Sequence, residues 1–358
     1  MNRRDFITGS AAAFGTASLF SSSAFAQAKP AKIKVGQIGT GHAHAGGKMA
    51  SLRKLSDIYE VVGVVEPDAK QREAASRDKT YDGVKWMTEE QLLNIKGLQA
   101  VAVETEVKDL LPTAERCIAA GKHLHLDKPA GEKFSHFKRI VEDARRQKLT
   151  IQMGYMLRSN PGLQLCFRAA KEGWLGRVFS IEAAMSKALN AGSRNSLKPY
   201  PGGAMFELAC HVLDSAIYIL GKPRKVTAFN RSSSAVDDGF FDNQYAVLEY
   251  PHATAIIHSA LIEVGGEARR QFTVSGEQGT VEVRPLEAPK VRLSLDRPQG
   301  GFKKGWQDVE MPKMTGRYDA ELIDLAAVIR GEKEFAFTYD HDLIVQETLL
   351  QACGMKVD

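Results

Sequence analysis

The chain has 358 residues, of which 44% are apolar and 25% charged, and its formal net charge is +5. These fractions are typical of a globular protein with a sizeable core, and no repeat or low-complexity tract interrupts it. Basic and acidic residues are interspersed, so neither a nucleic-acid-binding surface nor a membrane-surface patch is predicted. The four cysteines are too few for a disulfide scaffold and lack metal-ligand spacing, which allows one bridge but requires none.

Residues 1–26 have the layout of an export signal. Arg3 and Arg4 precede an apolar stretch at 11–25 that is shorter than the roughly 20 residues of a membrane-spanning helix. Residues 24–26 (AFA) match a small-residue cleavage site. The arginine pair resembles a twin-arginine signal, with an ordinary secretory signal or an unstructured tail as alternatives. We therefore expect a periplasmic or secreted protein that is exported folded and is not inserted in a membrane.

Residues 27–155 alternate short apolar strands with helices. Strands are predicted at 33–38, 60–65, 99–103 and 122–126, and helices at 44–55, 69–77, 108–120 and 135–147. Gly121 is expected to end the third helix, and Ser135 to cap the fourth. This alternation predicts an α/β domain of the Rossmann type, a parallel sheet covered by helices on both faces.

A glycine turn follows the first predicted strand. Gly39, Thr40 and Gly41 begin a G-x-G-x-x-G pattern, in which His42 comes next and His44 stands in place of the third glycine. Such a turn brings backbone N–H groups to a pyrophosphate at a helix N-terminus. The incomplete pattern predicts dinucleotide binding. We predict no metal at the two histidines, because no third ligand lies near them in sequence.

An acidic residue follows the second predicted strand. Glu66 lies 25 residues after Gly41, near the spacing at which a carboxylate binds the adenosine ribose. A carboxylate there would repel a 2′-phosphate, so NAD is favoured as cofactor over NADP. The alternative is a solvated residue at the end of a strand.

Four segments in order along the chain carry a family resemblance. They are 119–129 (AAGKHLHLDKP), 154–161 (GYMLRSNP), 173–178 (GWLGRV) and 202–214 (GGAMFELACHVLD). Together they resemble the Gfo/Idh/MocA family, named for glucose–fructose oxidoreductase and inositol dehydrogenase. The resemblance implies a second domain at 156–358, built on a large, mostly antiparallel open sheet. It also implies sugar, cyclitol or polyol substrates and a homodimer or homotetramer formed through that sheet.

Lys128 is the first catalytic candidate. It follows a parallel strand at the edge where ligands meet open α/β sheets, and Pro129 fixes the turn. Beside an oxidised nicotinamide its pKa is expected to be lowered toward acid–base use. By resemblance Lys128 contacts both substrate and cofactor, Asp127 replaces the family's glutamate, and Asp127 and Pro129 adjoin the cofactor. The alternative is an exposed lysine in a turn.

The second candidate is a helix predicted at 204–220, which is apolar almost all round. Glu207, His211 and Asp214 are spaced to share one of its faces. Ionisable groups on a buried helix must be paired or face a polar cavity, so a catalytic cleft or a structural ion pair is expected. By resemblance Glu207 and His211 match an Asp-x-x-x-His pair in which the histidine is the general base. Tyr155, Arg158 and Asp214 are predicted to bind substrate.

Residues 104–106 depart from the family pattern. The family commonly has Thr-Pro-Asn-x-x-His after this strand, whereas this chain has Thr105 followed by Glu106 and lacks the histidine. Glu104 and Glu106 would place carboxylates near the nicotinamide edge, and Glu104 and Thr105 are predicted to contact the cofactor. The change favours either a different substrate class or a different reaction.

The remainder of the second domain is predicted to be mostly sheet. Strand candidates lie at 225–230, 244–250, 254–263, 270–275, 280–284 and 291–295, and two helices at 318–330 and 340–354. Three functions compete for the whole chain. The first is an NAD(P)-dependent oxidoreductase of a sugar or polyol CH–OH group with tightly bound cofactor. The second is a redox-neutral sugar-processing enzyme that acts through a transient ketone, and the third is a non-catalytic nucleotide sensor.

Overall fold

The first half of the protein alternates β-strands and α-helices along its length. The computed structural model describes residues 30–358, so the predicted export signal lies outside the described residues. The strands are β1 (Ile33–Ile38), β2 (Tyr59–Val65), β3 (Leu98–Val103), β4 (His123–Leu126) and β5 (Ile151–Met153). The helices between them are α1 (Ala45–Lys54), α2 (Ala69–Ser76), α3 (Glu89–Leu93), α4 (Val107–Ala119) and α5 (Phe134–Gln147).

These five strands form one parallel sheet in the order β2-β1-β3-β4-β5. The strands are apolar along their length because both faces of the sheet are covered. Leu110 and Ile118 of α4 and Ile140 of α5 belong to the core on one face. On the other face Leu52 of α1 packs against Ile33 of β1. The predicted Rossmann-type sheet is therefore confirmed.

The second half of the protein contains a larger sheet. Its eight strands are β6 (Val178–Ala184), β7 (Lys225–Arg231), β8 (Asn243–Glu249), β9 (Thr254–Ala260), β10 (Gln271–Gly276), β11 (Gly279–Val283), β12 (Val291–Leu295) and β13 (Gly305–Val309). They lie in the order β13-β12-β11-β10-β6-β9-β8-β7, and every neighbouring pair is antiparallel except β6 and β9. The accompanying helices are α6 (Pro161–Lys171), α7 (Ala191–Leu197), α8 (Cys210–Leu220), α9 (Asp319–Ile329) and α10 (Tyr339–Ala352).

The two faces of the larger sheet differ. Alternate side chains such as Phe272 and Val281 are fully buried in the core. The opposite face carries large side chains that remain between 42% and 49% exposed, namely Phe179, Phe229, Tyr245 and Ile256. This period-2 alternation is typical of a sheet that covers the core with one face only. The predicted α/β architecture with a large, mostly antiparallel open sheet is confirmed.

Helix α9 returns to the first sheet. Leu322 and Ala326 share a hydrophobic cluster with Ile33 and Val35 of β1. The hydroxyl of Tyr59 also donates a 2.6 Å hydrogen bond to the carbonyl of Leu322. A segment late in the chain therefore completes the cover of the parallel sheet, which the sequence analysis did not predict.

Three element predictions need correction. Helix α5 begins at Phe134 without a side-chain cap, because the hydroxyl of Ser135 donates to Asp358 instead, at 2.7 Å. The helix predicted over 204–220 is a π-helical turn, Met205–Ala209, followed by α8. Strand β9 ends at Ala260, shorter than the predicted 254–263. Within residues 30–358, no helix is long and apolar enough to cross a bilayer. All four cysteines are buried and free.

Candidate active site

The carboxyl ends of the parallel strands bring most of the candidate residues to one edge of the first sheet. The turn after β1 places Gly39 against the segment after β3. A side-chain carbon on Gly39 would lie 2.5 Å from the backbone nitrogen of Thr105, and its φ is +90°. Only glycine fits this position without strain. The cradle is of the kind that lets a backbone approach a phosphate closely, so these residues fit a dinucleotide.

Glu66 organises the turn. Its Oε2 accepts hydrogen bonds from the backbone nitrogen and the hydroxyl of Thr40, at 2.7 and 2.8 Å, and its Oε1 accepts from the Asp68 nitrogen at 3.0 Å. Glu66, Asp68 and Glu106 line a cleft of about 370 Å³. Acidic side chains outnumber the two basic ones, Lys108 and Arg116, around this space.

The two carboxylates after β3 have different surroundings. Glu104 is completely buried, and neither of its side-chain oxygens has a hydrogen-bond partner. Burial, reinforced by Asp127, raises the pKa of Glu104 well above its ordinary value. Glu106 instead lines the cleft and lies 2.8 Å from the ammonium of Lys108. Of the two acids predicted near the nicotinamide, Glu106 therefore lies at the cleft and Glu104 beneath it, while Thr105 lines the cleft.

His42 and His44 converge on Asp127. The Nδ1 atom of each imidazole lies 3.0 Å from the same carboxylate oxygen, Oδ2 of Asp127. Asp127 is completely buried, and its Oδ1 accepts the backbone N–H of Lys128 at 2.7 Å. Burial lowers the pKa of His44 to about 4, so its imidazole is neutral at neutral pH. His44, which replaces the third glycine of the turn, thus reaches the strand end that carries Lys128.

Lys128 is held by Glu207. Its Nζ donates to the backbone carbonyl of Glu207 at 2.7 Å and lies 3.5 Å from the Glu207 carboxylate. Burial lowers the pKa of Lys128, but its acidic neighbours, Glu207 first among them, together outweigh burial, and the pKa is raised. Without a nucleotide the shift is thus opposite to the lowering predicted beside an oxidised nicotinamide, because the sequence analysis did not pair Glu207 with Lys128. The lowering with nicotinamide bound stays a prediction. The alternative of an exposed lysine is also wrong, since Lys128 is 1% exposed.

A second lysine, Lys187, belongs to the same cluster. Its Nζ lies 4.0 Å from Oε1 of Glu207, so the Glu207 carboxylate stands between two ammonium groups. Burial lowers the pKa of Lys187. Sequence reasoning missed this residue because a single lysine just after a strand carries no motif.

His211 lies deeper than the two lysines. The side chain is 2% exposed, and its Nδ1 has no hydrogen-bond partner among the described residues. Its ring meets that of Tyr155 edge to face, with centroids 5.8 Å apart. Burial, reinforced by Lys128, lowers the pKa of His211 well below its ordinary value, so the imidazole is neutral and able to accept a proton. Glu207 contacts the lysines rather than His211.

Arg158 and Asp214 form a buried ion pair. The guanidinium donates to Oδ1 of Asp214 at 2.6 Å and also bonds Asp342, and His341 reaches the same Asp214 oxygen at 2.9 Å. The Arg158 guanidinium lies 4.9 Å from the ring centroid of Tyr155. Arg158 and Asp214 are thus partnered with each other beside the His211–Tyr155 pair. Their predicted contact with substrate stays a prediction.

Comparison with known proteins agrees with this geometry. Residues 33–155 match the model of an oxidoreductase family with an NAD-binding Rossmann fold, GFO/IDH/MocA, and residues 164–282 match a C-terminal domain of the same family. The uncharacterized oxidoreductase YdgJ of Escherichia coli strain K12 is 25% identical over 84% of this chain and 90% of its own. Inositol 2-dehydrogenase of Agrobacterium fabrum is 24% identical over 82% and 84%.

Solved structures share the fold. The aldose-aldose oxidoreductase of Caulobacter crescentus superposes with a TM-score of 0.74 at 19% identity, covering 90% of this chain and 98% of its own. The two family models cover the nucleotide-binding edge, Lys128 and His211, and strands β6 to β10 of the larger sheet. This chain belongs to the Gfo/Idh/MocA family of NAD-binding oxidoreductases.

Proposed function

We propose that this protein oxidises or reduces a CH–OH carbon of a sugar, cyclitol or related polyol, with NAD as the favoured cofactor. The observation that carries the proposal is the grouping of a charged lysine and a neutral histidine beside the nucleotide-binding edge. Lys128 is held at 2.7 Å by the Glu207 carbonyl, and His211 is buried with its Nδ1 unpartnered. An alcohol oxidation needs a group that takes the hydroxyl proton and one that stabilises the oxygen, and these two residue types supply both.

The nucleotide residues fit the cofactor. Gly39 gives the close backbone approach, and the Glu66 carboxylate lies at the acidic cleft. When bound, the nicotinamide ring would exchange a hydride with the substrate carbon. The residues of the chain then have distinct roles. His211 would accept the hydroxyl proton, Lys128 would donate a hydrogen bond to the same oxygen, and Glu207 would hold Lys128 protonated and in position.

A direct assay tests this proposal. Purified protein would be mixed with NAD⁺ and one candidate substrate at a time, chosen from aldoses, cyclitols and uronates. The formation of reduced nicotinamide would be followed by its absorbance. We expect reduction with at least one polyhydroxy substrate and its loss in His211→Asn. Absence of reduction by every class, with nucleotide shown to be bound, would contradict the proposal.

A redox-neutral reaction on a sugar is the second candidate. Lys187 favours this reaction for two reasons. Burial lowers the pKa of Lys187, and its ammonium lies 4.0 Å from the Glu207 carboxylate, where it offers a second acid–base group. Oxidation to a ketone would acidify the adjacent carbon, and its proton would be removed. The resulting enolate would either expel a substituent on the next carbon, with water adding in its place, or be reprotonated on its opposite face, and return of the hydride would leave no net reduction of NAD. Product formation at constant nicotinamide absorbance would distinguish this reaction. A sensor role has less support, since it gives no use to the Lys128–Glu207 arrangement.

Two further features belong to the proposal. The Arg3–Arg4 pair supports folded export to the periplasm. The exposed face of the larger sheet supports a homodimer or homotetramer, because Phe179, Phe229, Tyr245 and Ile256 leave an apolar surface there. Cell fractionation and light scattering, respectively, would test them.

A further inference from the structure

The side chains of His42, His44 and Asp127 bring three metal-ligating atoms together at the nucleotide edge. The two imidazole Nδ1 atoms each lie 3.0 Å from Oδ2 of Asp127, and all three atoms lie within 4.8 Å of one another. A tetrahedral Zn²⁺ with bond lengths near 2.1 Å would hold its ligand atoms roughly 3.3 Å apart. The two nitrogen–oxygen spacings of 3.0 Å are close to this value, and the two nitrogens lie within 4.8 Å of each other.

The hydrogen bonding around His42 gives an independent argument. The Nδ1 atom of His42 accepts the backbone N–H of His44 at 3.3 Å, which requires a lone pair on that nitrogen. The same nitrogen lies 3.0 Å from the Asp127 carboxylate, which can only accept when ionised. Two lone pairs facing each other at this distance repel. Either a proton on Nδ1 of His42, which would then donate to Asp127, or a metal ion bound by both atoms removes the repulsion.

A buried carboxyl group without a hydrogen-bond partner lies beneath these residues. Glu104 is completely buried beside Asp127, and neither of its oxygens has a hydrogen-bond partner. Lys128 directs its ammonium to Glu207, and Lys48, which also acts electrostatically on Glu104, bonds Glu321. Two carboxyl groups thus lie next to two imidazoles without a bonded cation from a side chain in the described part of the chain.

A second group of potential ligands shows the contrast. Asp214, His341 and Asp342 also bring donor atoms within 4.8 Å of one another. There the Arg158 guanidinium bonds both carboxylates, so the charge is already balanced. Of the two groups found within residues 30–358, the first has ligand atoms of the right type and no such side-chain cation bonded to them.

Two departures from the family pattern meet at this point. His44 stands where the G-x-G-x-x-G motif has its third glycine, and Asp127 stands where the family has a glutamate. The two changes are therefore coupled in space although 83 residues separate them.

We propose that Nδ1 of His42, Nδ1 of His44 and Oδ2 of Asp127 bind one divalent first-row transition ion, with Zn²⁺ as the best match. Two imidazoles and a carboxylate leave at least one position open, as in catalytic zinc sites. The expectation from sequence that no metal binds here overlooked Asp127, which is remote in sequence. If the proposed oxidoreductase function holds, the open position would bind a substrate oxygen beside Lys128.

Direct metal binding tests the proposal without turnover. The full chain would be stripped with a chelator and titrated with Co²⁺, whose visible absorption reports coordination, and with Zn²⁺ in competition. We expect one ion per chain, and more than about tenfold weaker binding in His42→Ala, His44→Ala and Asp127→Asn. His341→Ala, in the second group, and His252→Ala, at an exposed position, should bind as the unmodified protein does.

Each possible result of the metal titration either supports or overturns the proposed site. Binding lost in the three cluster variants but kept in both controls supports the site, whether or not any sugar is oxidised. No saturable binding, or equal binding by His42→Ala, His44→Ala and the unmodified protein, overturns it. Thermal melting of each variant identifies any that fail to fold. Asparagine has nearly the same shape as aspartate, so Asp127→Asn removes the charge with little disturbance of the fold. Failure of the oxidoreductase function would appear only in the turnover assay.

Discussion

Glu207 binds Lys128 through its main chain and its side chain together. The carbonyl oxygen accepts Nζ at 2.7 Å, and the carboxylate lies 3.5 Å from the same atom. A π-helical turn at Met205–Ala209 places both groups of one residue toward the lysine. Such turns are rare in proteins as a whole, but those that occur frequently lie at functional sites. Glu207, which by resemblance is matched with His211 as an Asp-x-x-x-His pair, contacts Lys128 instead and fixes its position and charge.

Glu207→Gln should make the reaction sensitive to alkaline pH. The Glu207 carboxylate raises the pKa of Lys128, so the lysine stays protonated to higher pH when the charge is present. Without it, Lys128 loses its proton at lower pH, and the alkaline limb of kcat/KM should move toward neutrality. Glu249→Gln, on an exposed pair with Lys225, is the matched control and should leave the profile in place. An unchanged alkaline limb in Glu207→Gln would show that Lys128 does not set it.

His211→Asn should lower kcat by about 10²–10⁴-fold, the usual range for loss of a general acid or base. Because the pKa of His211 is lowered well below 6.5, its neutral form persists into acid. Activity should therefore be lost only as the pH falls below the ordinary histidine range. His252→Asn changes an exposed histidine and serves as control. A wild-type kcat in His211→Asn, with substrate and nucleotide saturating, would remove this residue from the mechanism.

Arg158→Met should destabilise the fold strongly. It leaves the buried carboxylates of Asp214 and Asp342 without their shared cation. Breaking a buried pair in this way costs about 3–5 kcal/mol in the free energy of unfolding. Arg177→Met removes the exposed pair with Glu277 and should cost about 1 kcal/mol or less. Denaturant unfolding of the two variants compares them, and equal small losses would mean that Arg158 is not structurally required.

The sequence predicts the fold better than it predicts the site. Strands β1 to β4 and the turn at Gly39 follow from local apolar runs and a glycine, signals that lie within a few residues of one another. Helix α9 could not be assigned to the first sheet, because its partners Ile33 and Val35 lie almost 300 residues earlier. Ser135 was misassigned for the same reason, since its partner is Asp358.

The site residues are predicted largely from the family resemblance. Their hydrogen-bond and ion-pair partners are not predicted. Lys128, Glu207 and His211 were candidates, but which pairs they form depends on the π-helical turn and on Lys187. No local pattern signals either feature. The approach of His44 to Asp127 likewise depends on two strand ends meeting at one sheet edge. Pairings that depend on long-range geometry are therefore the part that sequence reasoning leaves open.

Glu66 should set the preference for NAD. Its carboxylate would accept the ribose hydroxyls and repel a 2′-phosphate. Replacing it in the double variant Glu66→Ser/Pro67→Arg should shift the ratio of NADP to NAD affinity by about tenfold or more toward NADP. The ratio is the proper readout because Glu66 also holds Thr40, and loosening the turn affects both nucleotides. Glu73→Ser, on the exposed part of α2, is the control. Tighter binding of NADP than NAD by the unmodified protein would contradict this role.

If the chain is exported folded, it should carry its nucleotide with it. A compartment without a maintained NAD pool cannot replace a lost cofactor, so dissociation must be slow. A nanomolar Kd is then expected, on the order of −12 kcal/mol. The reduced cofactor must be reoxidised in place, so the kinetics should be ping-pong or redox-neutral, without release of free NADH.

Denaturing the protein purified from the periplasm and identifying the released nucleotide by mass spectrometry measures this retention directly. A variant with Arg3→Lys and Arg4→Lys, which should remain in the cytoplasm, provides the comparison, since its folded domain is identical. We expect about one nucleotide per chain in both preparations. Mature periplasmic protein that is free of nucleotide and turns over only with added NAD would contradict retention, because the folded cleft would then exchange its cofactor with solvent.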